Sequence, residues 1–492
     1  MSELEAALAM YAFIGLCTLV YGWMKSRMLY WRRRGIPYED PDFLVGNTKG
    51  IGTHKHMRQT LREFYRKFKA SGPFGGFFFM LQPVAIVLDM DLVENILIKD
   101  CHAFDNNNST ANTLMGIGCS LKEKKLRNKF SLVLNSNTIK QILPSAVKVA
   151  HECANVLQEI LPDSYQVDVN DLVSRYTTDV MGSCVFELEC NSLEDPHTEF
   201  LAAHKDIFKQ FQHSTATHIF RQFFPRLAQS LCRASMPKSL YDFYFGIVQE
   251  TVEYREIKQI KRHDFMDILI ELKNSKDPNE RLNMKEITEI VLTFFVAGFE
   301  ASSTTLCFAL YELAGNQKVQ NKLRQEIGEI LKKHNDDITY ECMQEMPYIE
   351  QVISETLRKH AVLPYLERRA LVDYPTNTAG YDIAKNTTIF IPLDAIHHDP
   401  KIYPEPEKFL PERFEPKKLS KRHSMAYLPF GVGPSHCIAM SLAKMQVGLA
   451  LITLLRDYRF SQCSKTKIPL DIDLSLSIIK PIGEVFLKVE KL

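Results

Sequence analysis

The sequence predicts an α+β fold, mainly α-helical, in which small β-sheets lie at the periphery of one large domain. Apolar residues recur at helical spacing through most of the chain between about Asp91 and residue 370. The β-like runs are short and stand near the two ends of the chain. The length of 492 residues would allow about three domains of ~150 residues, but no linker, repeat or low-complexity tract follows residue 50. A single large domain fits these observations best.

The N-terminal segment predicts a single-span membrane anchor. Residues 6–24 carry no charged side chain, and these 19 residues approach the ~20 that a helix needs to cross a bilayer. Glu3 and Glu5 precede the segment, whereas a cleaved signal peptide would begin with positive charge. Basic residues follow it, so the positive-inside rule keeps the rest of the chain cytosolic. The alternative is a buried N-terminal helix. The predicted division is an anchor (1–24), a basic, proline-containing hinge (25–45) and the main domain (46–492).

Composition excludes several classes of protein. The chain is 45% hydrophobic and 24% charged, which suffices for a large core, and its net charge of +1 gives no field that would favour nucleic acid. The 11 cysteines are odd in number and scattered, without a Cys-x-x-Cys pair. They indicate neither a disulfide framework nor a zinc site, and they suit a reducing cytosol.

The elements follow in order along the main domain. Two β-like runs, Gly76–Met80 and Val84–Val87, precede a helix from about Asp91. The longest predicted helix runs from about Asn283 to Ala314 and is apolar on most sides, so it should be buried in the middle of the fold. Extended segments return at Ala370–Ile391 and at Leu474–Val489.

Cys437 ends the segment Phe430-Gly-Val-Gly-Pro-Ser-His-Cys437 and precedes a predicted helix, Met440–Leu454. A thiolate before a helix is stabilised by the unpaired N–H groups of the first turn. Gly431 and Gly433 permit a tight turn and a close approach to something flat and bulky. Such a loop suits a sulfur ligand to a metal, foremost a haem iron. The alternative is a small buried hydrophobic residue. A dinucleotide site is excluded because Pro434 follows Gly433 and no βαβ unit is apparent.

Charged residues at other positions suggest support for this loop. Glu355 and Arg358 are three residues apart on a predicted helix from about Tyr348, and Arg413 lies 24 residues before Cys437. Together they would form a charge network that braces the cysteine loop, although Glu355 and Arg358 alone would be an ordinary solvated pair. Glu300 is an acid inside the long apolar helix. It is either a buried proton relay or a residue on an exposed edge.

These motifs, in this order, resemble the cytochrome P450 family over essentially the whole chain. The motifs are Ala297-Gly298-x-Glu300, Glu355-x-x-Arg358, Pro411-Glu-Arg413-Phe414 and Phe430-x-x-Gly433-x-x-x-Cys437. Further details, such as Asp264-Phe-Met-Asp267, look most like microsomal insect enzymes. The resemblance implies the single-domain cytochrome P450 fold and a membrane-anchored haem-thiolate monooxygenase. Such an enzyme oxidises a lipophilic small molecule (xenobiotic, steroid or hormone, or fatty-acid-like) with O2 and electrons derived from NADPH.

The resemblance also implies roles for single residues. Cys437 would be the axial ligand of haem b, iron protoporphyrin IX, and Glu355, Arg358 and Arg413 would be structural. The long helix would cross the other face of the haem with Ala297, Gly298 and Ala301 above the iron. Other contacts to the cofactor would come from Arg127, Phe430, Gly433, Ser435 and Arg368. Proton delivery would involve Glu300, Ala301 and Ser302. The substrate pocket would comprise Phe294, Phe295, Ala297, Val362, Leu363 and Ile479.

Several positions depart from the family pattern. Ala301 replaces the usual Thr, so Glu300 or Ser302 must deliver protons through water or oxygen activation is impaired. Ser435 replaces an Arg that meets a haem propionate, a loss of about 1.5–3 kcal/mol of charge-assisted bonding. Glu123 stands where a Trp is usual, and Ala439 where a Gly is usual. The departures keep two other functions open: a haem-thiolate isomerase or dehydratase of a peroxide, and a haem-binding protein of low activity. A separate metal site at residues 397–399 is a further alternative, against a simple turn before Pro400.

Electrons must come from outside the chain, which has no flavin-binding or nicotinamide-binding motif. The resemblance implies NADPH–cytochrome P450 reductase as the donor, with cytochrome b5 as a second candidate. A basic cluster could steer the acidic face of such a reductase, or could simply be a solvated helix face: Lys122, Lys124, Lys125, Arg127 and Lys129. The implied location is the endoplasmic reticulum membrane, recovered as microsomes, with the main domain on the cytosolic face.

Overall fold

The predicted mainly helical α+β architecture is confirmed. The computed structural model describes residues 3–105, 136–161, 164–186, 188–202, 238–262, 264–278, 280–476 and 478–492. The α-helices of these residues are α1 (Glu3–Met28), α2 (Tyr30–Arg33), α3 (Met57–Phe68), α4 (Met90–Glu94), α5 (Ser136–Ile160), α6 (Val169–Met181), α7 (Lys238–Lys258), α8 (Phe265–Lys273), α9 (Met284–Gly315), α10 (Gln317–Lys333), α11 (Tyr340–Gln344), α12 (Pro347–Lys359), α13 (Leu393–His397), α14 (Pro416–Leu419) and α15 (Met440–Asp457).

The strands form two small sheets. They are β1 (Phe74–Phe79), β2 (Gln82–Val87), β3 (Phe104–Asp105), β4 (Gln166–Asp168), β5 (Leu366–Ala370), β6 (Thr388–Ile391), β7 (Tyr458–Ser461) and β8 (Phe486–Lys491). The first sheet has the order β1-β2-β6-β5-β3, and the second has the order β4-β8-β7. β2 and β6 pair in parallel, and the other strand pairs are antiparallel. Within the predicted extended segment Leu474–Val489, the described residues form a regular strand only from Phe486 onward.

The long helix α9 begins where its sequence predicts. The side chain of Asn283 accepts a hydrogen bond from the main-chain N–H of Glu286, whose carboxylate accepts one from the N–H of Asn283. This capping box satisfies two N–H groups that the first turn cannot. The helix packs against α6, α7, α12 and α15, so it lies in the core as its all-round apolar pattern requires.

Gly298, in the middle of α9, lies where α6 crosses this helix. A Cβ at this position would stand 2.4 Å from Cε of Met181. The absence of a side chain therefore makes room for Met181. The resemblance had implied that Gly298 lies above the iron, but its open side is already filled by α6.

The N-terminal helix α1 continues to Met28, four residues beyond the predicted end of the anchor. Its apolar side chains between Leu8 and Trp23 are largely exposed, and Met24 is buried. Among the described residues, the helix that is long and apolar enough to cross a membrane is Met284–Gly315, and 67% of its most apolar window is buried. Burial identifies that segment as the core helix α9, whereas α1 presents its apolar surface outward.

Trp31 connects α1 to the first sheet. Its ring is buried against β1, where a Cβ on Gly76 would stand 2.4 Å from Cγ of the indole. The indole Nε1 donates a 3.0 Å hydrogen bond to the carbonyl oxygen of Phe77. The segment just after α1 is therefore packed and hydrogen-bonded to the main domain.

Two hydrophobic cores meet near the predicted site. One is built mainly from α5, α6, α9, α12 and α15, and the other surrounds the first sheet. Phe430 packs against the helical core and Val432 against the sheet core. Val362 likewise packs against the helical core and Leu363 against the sheet core. The cysteine loop and the segment after α12 therefore both lie at the junction of the two cores.

Candidate active site

The cysteine loop, residues 430–437, is closed by main-chain hydrogen bonds. The N–H of Cys437 donates to the carbonyl oxygen of Phe430 over 2.7 Å, and the N–H of Gly431 donates to Leu428 over 3.0 Å. Residues 433–435 form one turn of 3-10 helix, and α15 begins at Met440. Cys437 is half-buried. The loop thus presents a thiol three residues before the helix, close to the predicted place.

Two glycines are required by this loop. Gly431 has φ +66° and Gly433 has φ +71°, the left-handed region that other residues adopt only at a cost. A Cβ on Gly433 would stand 2.1 Å from the carbonyl oxygen of Leu97. The glycine pattern therefore reflects backbone conformation and close packing against residues 95–99, in addition to any approach to a ligand.

The predicted charge network forms, and it is buried. Glu355 accepts from Nε of Arg358 at 2.7 Å and from its Nη2 at 2.9 Å. Nε of Arg413 lies 3.2 Å from the same carboxylate, and the main-chain N–H of Leu410 lies 2.9 Å from it. Glu355 and Arg358 are inaccessible to solvent. The solvated-pair alternative is therefore wrong for these residues.

His397 carries the network to the cysteine loop. Nη1 of Arg358 donates to the carbonyl oxygen of His397 at 3.0 Å. The ring Nε2 of His397 lies 3.1 Å from the main-chain N–H of Leu428. Burial and the nearby Arg358 charge lower the pKa of His397 to about 3, so its ring is neutral and Nε2 accepts this bond. Because Leu428 also accepts from Gly431, an unbroken chain of contacts runs from Glu355 to the loop.

Residues 397–399 therefore do not converge on a metal. His398 Nδ1 lies 2.8 Å from the carbonyl oxygen of Asp394, and Asp399 accepts from the hydroxyl of Tyr65 at 3.2 Å and pairs with Lys69. In the part of the chain that the structure describes, no group of three His, Cys, Asp or Glu side chains is placed to hold a metal ion. The separate metal site considered from the sequence is wrong.

The middle of α9 shows two different faces. Ala297 is exposed and Ala301, one turn later, is half-buried, although most of the surrounding helix is buried. The main-chain carbonyl of Ala301 accepts a 2.7 Å hydrogen bond from the hydroxyl of Thr305. Ser302 is buried, and its hydroxyl finds no hydrogen-bond partner among the described residues. At residues 297 and 301 the accessible face of α9 therefore carries small side chains.

Glu300 is buried and lies in an ion pair. Its Oε1 is 2.5 Å from Nζ of Lys480, a residue near the C terminus. The alternative that Glu300 occupies an exposed edge is wrong, since the residue is only 4% exposed. This partner could not be predicted from the sequence, because the two residues are far apart in the chain and Lys480 belongs to no recognisable motif.

The predicted pocket residues divide into two groups. Phe294 and Ala297 share the face of α9 that carries Ala301, as spacings of three and four residues require. Phe295 lies on the opposite face, fully buried and stacked on Phe186 with ring centroids 5.5 Å apart. Away from α9, the N–H of Ile479 donates to the carbonyl oxygen of Val362 at 2.8 Å, and Leu363 is half-buried beside Val362.

The predicted propionate contacts are only partly described. Arg368 is buried in β5, where its Nη1 donates to the carbonyl oxygen of Glu367 at 2.7 Å. Ser435 is half-buried, and the ring Nδ1 of His436 lies 2.8 Å from the carbonyl oxygen of Gly433. Arg127 and the basic cluster around it lie outside the described residues, as does Glu123.

This mainly helical fold, with a cysteine loop braced by a buried Glu–Arg–Arg network, defines a haem-thiolate class of protein. Residues 36–489 match the sequence model of the cytochrome P450 family. Cytochrome P450 6a8 of Drosophila melanogaster is 39% identical over 494 residues, covering 97% of both chains. Cytochrome P450 6A1 of Musca domestica is 37% identical over 98% of this chain and 97% of its own. The chain belongs to the cytochrome P450 family. It is accordingly a P450 monooxygenase, an oxidoreductase.

The residues present fit the haem that this family binds through a cysteine thiolate. Cys437 carries a soft sulfur of the kind that iron accepts as a ligand. The loop that carries it is fixed by its own hydrogen bonds and by the network behind it. The accessible face of α9 offers Ala297 and Ala301, whose small side chains leave space for a planar group.

Proposed function

We propose that the protein is a membrane-bound monooxygenase that oxidises a lipophilic small molecule with O2 and electrons derived from NADPH. The observation that carries this proposal is the Cys437 loop, which is held by main-chain hydrogen bonds and by a buried charge network. A cysteine kept only as a small hydrophobic residue would need neither. We further propose that Glu355, Arg358 and Arg413 serve this support alone, since their polar atoms are engaged with one another and with the backbone.

Haem b, when bound, would supply oxygen chemistry at an iron whose thiolate ligand favours O–O bond cleavage. The chain's contribution begins at Cys437, which would donate the thiolate. The N-terminal end of α15 favours the negative charge on that sulfur. Phe430 and Gly433 would shape the loop beneath the cofactor. Arg368, and Arg127 beyond the described residues, would offer positive charge to the propionates in place of the usual Arg at Ser435.

Proton delivery would depend on the middle of α9. Ala301 offers no hydroxyl, so the candidates are Ser302 and Glu300, both buried. The unpartnered hydroxyl of Ser302 can accept or donate a hydrogen bond through water. The carboxylate of Glu300 is engaged by Lys480, so it would exchange protons only as that pair rearranges. This arrangement supports oxygen activation that is slower or less well coupled than in relatives with the usual Thr.

The substrate would meet an apolar wall. Phe294 and Ala297 on α9 share the accessible face, while Val362 and Ile479 are joined by a main-chain hydrogen bond. Ligand pockets lined mainly by apolar groups favour lipophilic molecules. Phe295 would not contact the substrate directly, because it packs on the opposite side of α9.

We propose the endoplasmic reticulum membrane as the location, with the main domain on its cytosolic face. The support is α1, whose apolar side chains are exposed, followed by basic residues that stay on the cytosolic side. NADPH–cytochrome P450 reductase in the same membrane would supply electrons, with cytochrome b5 as a second donor. The charge of the cluster around Arg127 would favour an acidic partner.

Spectroscopy and turnover test the proposal together. We expect the reduced protein with carbon monoxide to give the strongly red-shifted haem-thiolate band, and Cys437→Ser to lose it. Cys463→Ser is the matched control, because Cys463 is also half-buried but lies outside the loop. Loss of the band in both variants, or in neither, would contradict ligation by Cys437.

Substrate-dependent NADPH consumption with reductase should then accompany oxygenated product. Turnover of a lipid hydroperoxide without reductase, and no NADPH-dependent product, would instead favour the isomerase or dehydratase function that Ala301 motivates. Haem binding with neither activity would favour the weakly active haem protein. A ligand-induced spectral screen of the purified protein would identify the substrate class.

A further inference from the structure

We propose that Lys480 is a positioning residue of the active site. By pairing with Glu300 it fastens a C-terminal hairpin to α9, and it thereby holds Ile479 in the wall of the pocket. The consequence for substrate binding rests on the proposed function, whereas the fastening itself concerns the fold of the chain.

The C-terminal hairpin comprises residues 471–476 and 478–482. Ile472 and Pro481 form an antiparallel bridge. The N–H of Asp473 donates to the carbonyl oxygen of Lys480, and the N–H of Ile482 donates to that of Asp471, both at 2.9 Å. Lys480 and Ile479 are therefore neighbours on one arm of the hairpin, so a contact that fixes Lys480 also restrains Ile479.

The hairpin is tied to the domain at three successive residues. The carbonyl oxygen of Ile478 lies 3.2 Å from Nε2 of His56, and the N–H of Ile479 donates to Val362. Lys480 makes the third tie, to Glu300. The first two involve the main chain of the hairpin and so persist whatever side chains it carries. The Lys480–Glu300 pair depends on side chains at both ends, and it joins the hairpin to α9.

The Lys480–Glu300 pair lies largely out of contact with solvent. The side chain of Glu300 is 6% exposed and that of Lys480 is 23% exposed, so solvent screens the pair weakly. Removal of Lys480 would leave the Glu300 carboxylate buried without its cation. The hairpin would then be free to move away from α9 and let water reach that carboxylate.

Hydrogen exchange of the haem-loaded, full-length protein tests the tie. We expect Lys480→Met to speed amide exchange in peptides that contain Ile479 and Ile482 by about tenfold or more, since local opening controls exchange there. The matched control is Lys467→Met. Lys467 pairs with Asp471 at 2.9 Å beside the same hairpin, but that pair is well exposed and should contribute little. Lys480→Arg keeps the charge and should keep the protection, which separates loss of the pair from general misfolding.

Two azole ligands test the effect on the pocket. Imidazole reaches only the iron, whereas 4-phenylimidazole extends to the pocket wall. We expect Lys480→Met to weaken the binding of 4-phenylimidazole by about three- to tenfold, a change typical of altered apolar contacts. The affinity for imidazole should stay unchanged. Glu300→Gln should lower the affinity for 4-phenylimidazole about as much as Lys480→Met does. The double variant should lose no more affinity than either single variant, because all three remove the same interaction.

Exchange in Lys480→Met no faster than in Lys467→Met would overturn the proposal. Additive effects of Glu300→Gln and Lys480→Met would do the same. These outcomes are distinct from failure of the proposed function, which shows as a missing haem-thiolate band in the unaltered protein. The exchange comparison reports on the hairpin in either case.

Discussion

The main-chain N–H of Leu428 donates a 3.1 Å hydrogen bond to ring Nε2 of His397. This bond joins the buried charge network to the segment that leads into the cysteine loop. It requires a neutral imidazole, because a doubly protonated ring has no acceptor. The support of Cys437 is therefore sensitive to protonation of a residue that contacts neither the sulfur nor the iron.

The stability of the protein should fall as the pH is lowered below about 6.5. Burial and the Arg358 charge lower the pKa of His397 to about 3, whereas an unfolded histidine titrates near ~6.5. The unfolded state therefore binds more protons between these values. The contribution of His397 is complete above about pH 6.5 and is lost as the pH falls towards about 3. The slope for this residue is at most ~1.4 kcal/mol per pH unit.

Urea unfolding at about pH 7, 6 and 5 measures this slope. In His397→Gln the amide oxygen can accept from Leu428, and we expect a shallower dependence on pH. His54→Gln changes an exposed histidine and should leave the slope unchanged. Equal slopes in the two variants would show that His397 is not a source of the acid sensitivity. Burial also lowers the pKa of His56 and His360, so part of the slope will remain.

Glu355→Gln should destabilise the protein by about 3–5 kcal/mol, the cost of breaking a buried pair from one side. The change removes the negative charge that faces both Arg358 and Arg413. We also expect loss of haem per protein, measured from the ratio of haem to protein absorbance. Glu405→Gln makes the same chemical change in an exposed pair with Lys408 and should have no measurable effect on either quantity.

Gly433→Ala should disrupt the cysteine loop more than Gly431→Ala does. Both glycines have positive φ, which costs a non-glycine residue about 1–2 kcal/mol. A Cβ at residue 433 would also stand 2.1 Å from the Leu97 carbonyl oxygen, whereas at residue 431 the nearest atom is 3.7 Å away. Denaturant unfolding and haem content would separate the two. Equal losses would mean that φ alone restricts these positions and that contact with Leu97 does not.

Ala301→Thr should raise the amount of product formed per NADPH consumed. The hydroxyl would stand on the accessible face of α9, and a positioned proton donor contributes up to about 10²–10⁴-fold to a proton-transfer step. We expect a severalfold gain in coupling and less hydrogen peroxide released. Ala301→Val is nearly the same shape without the hydroxyl and should give no gain. If both variants behave like the unaltered protein, residue 301 has no part in oxygen activation.

Local sequence signals predicted the elements well. Asn283 and Glu286 mark the start of α9, and the apolar pattern carries the helix to Gly315, one residue beyond the predicted end. The two β-like runs are β1 and β2, each of which starts two residues earlier than predicted. The order of motifs also sufficed to predict that Glu355, Arg358 and Arg413 meet. Each of these features depends on residues close in sequence or on a pattern common to the family.

Contacts between distant segments were not predictable in this way. Lys480 pairs with Glu300 because the C-terminal hairpin folds back on α9, and no pattern near either residue indicates it. His397 was considered as a metal ligand, but its position at the end of α13 makes it a hydrogen-bond acceptor for Leu428. Phe295 was assigned to the pocket because it is apolar and lies on α9. An all-round apolar helix does not reveal which face packs on its neighbours.

The packing of Trp31 against β1 limits how far the proposed anchor can move relative to the main domain. An indole that is buried against Gly76 and hydrogen-bonded to Phe77 leaves almost no slack chain between α1 and the main domain. A membrane that held α1 would therefore also fix the orientation of the main domain relative to the bilayer. A reductase diffusing in the same bilayer would then meet one constant side of the protein, with no search over orientations.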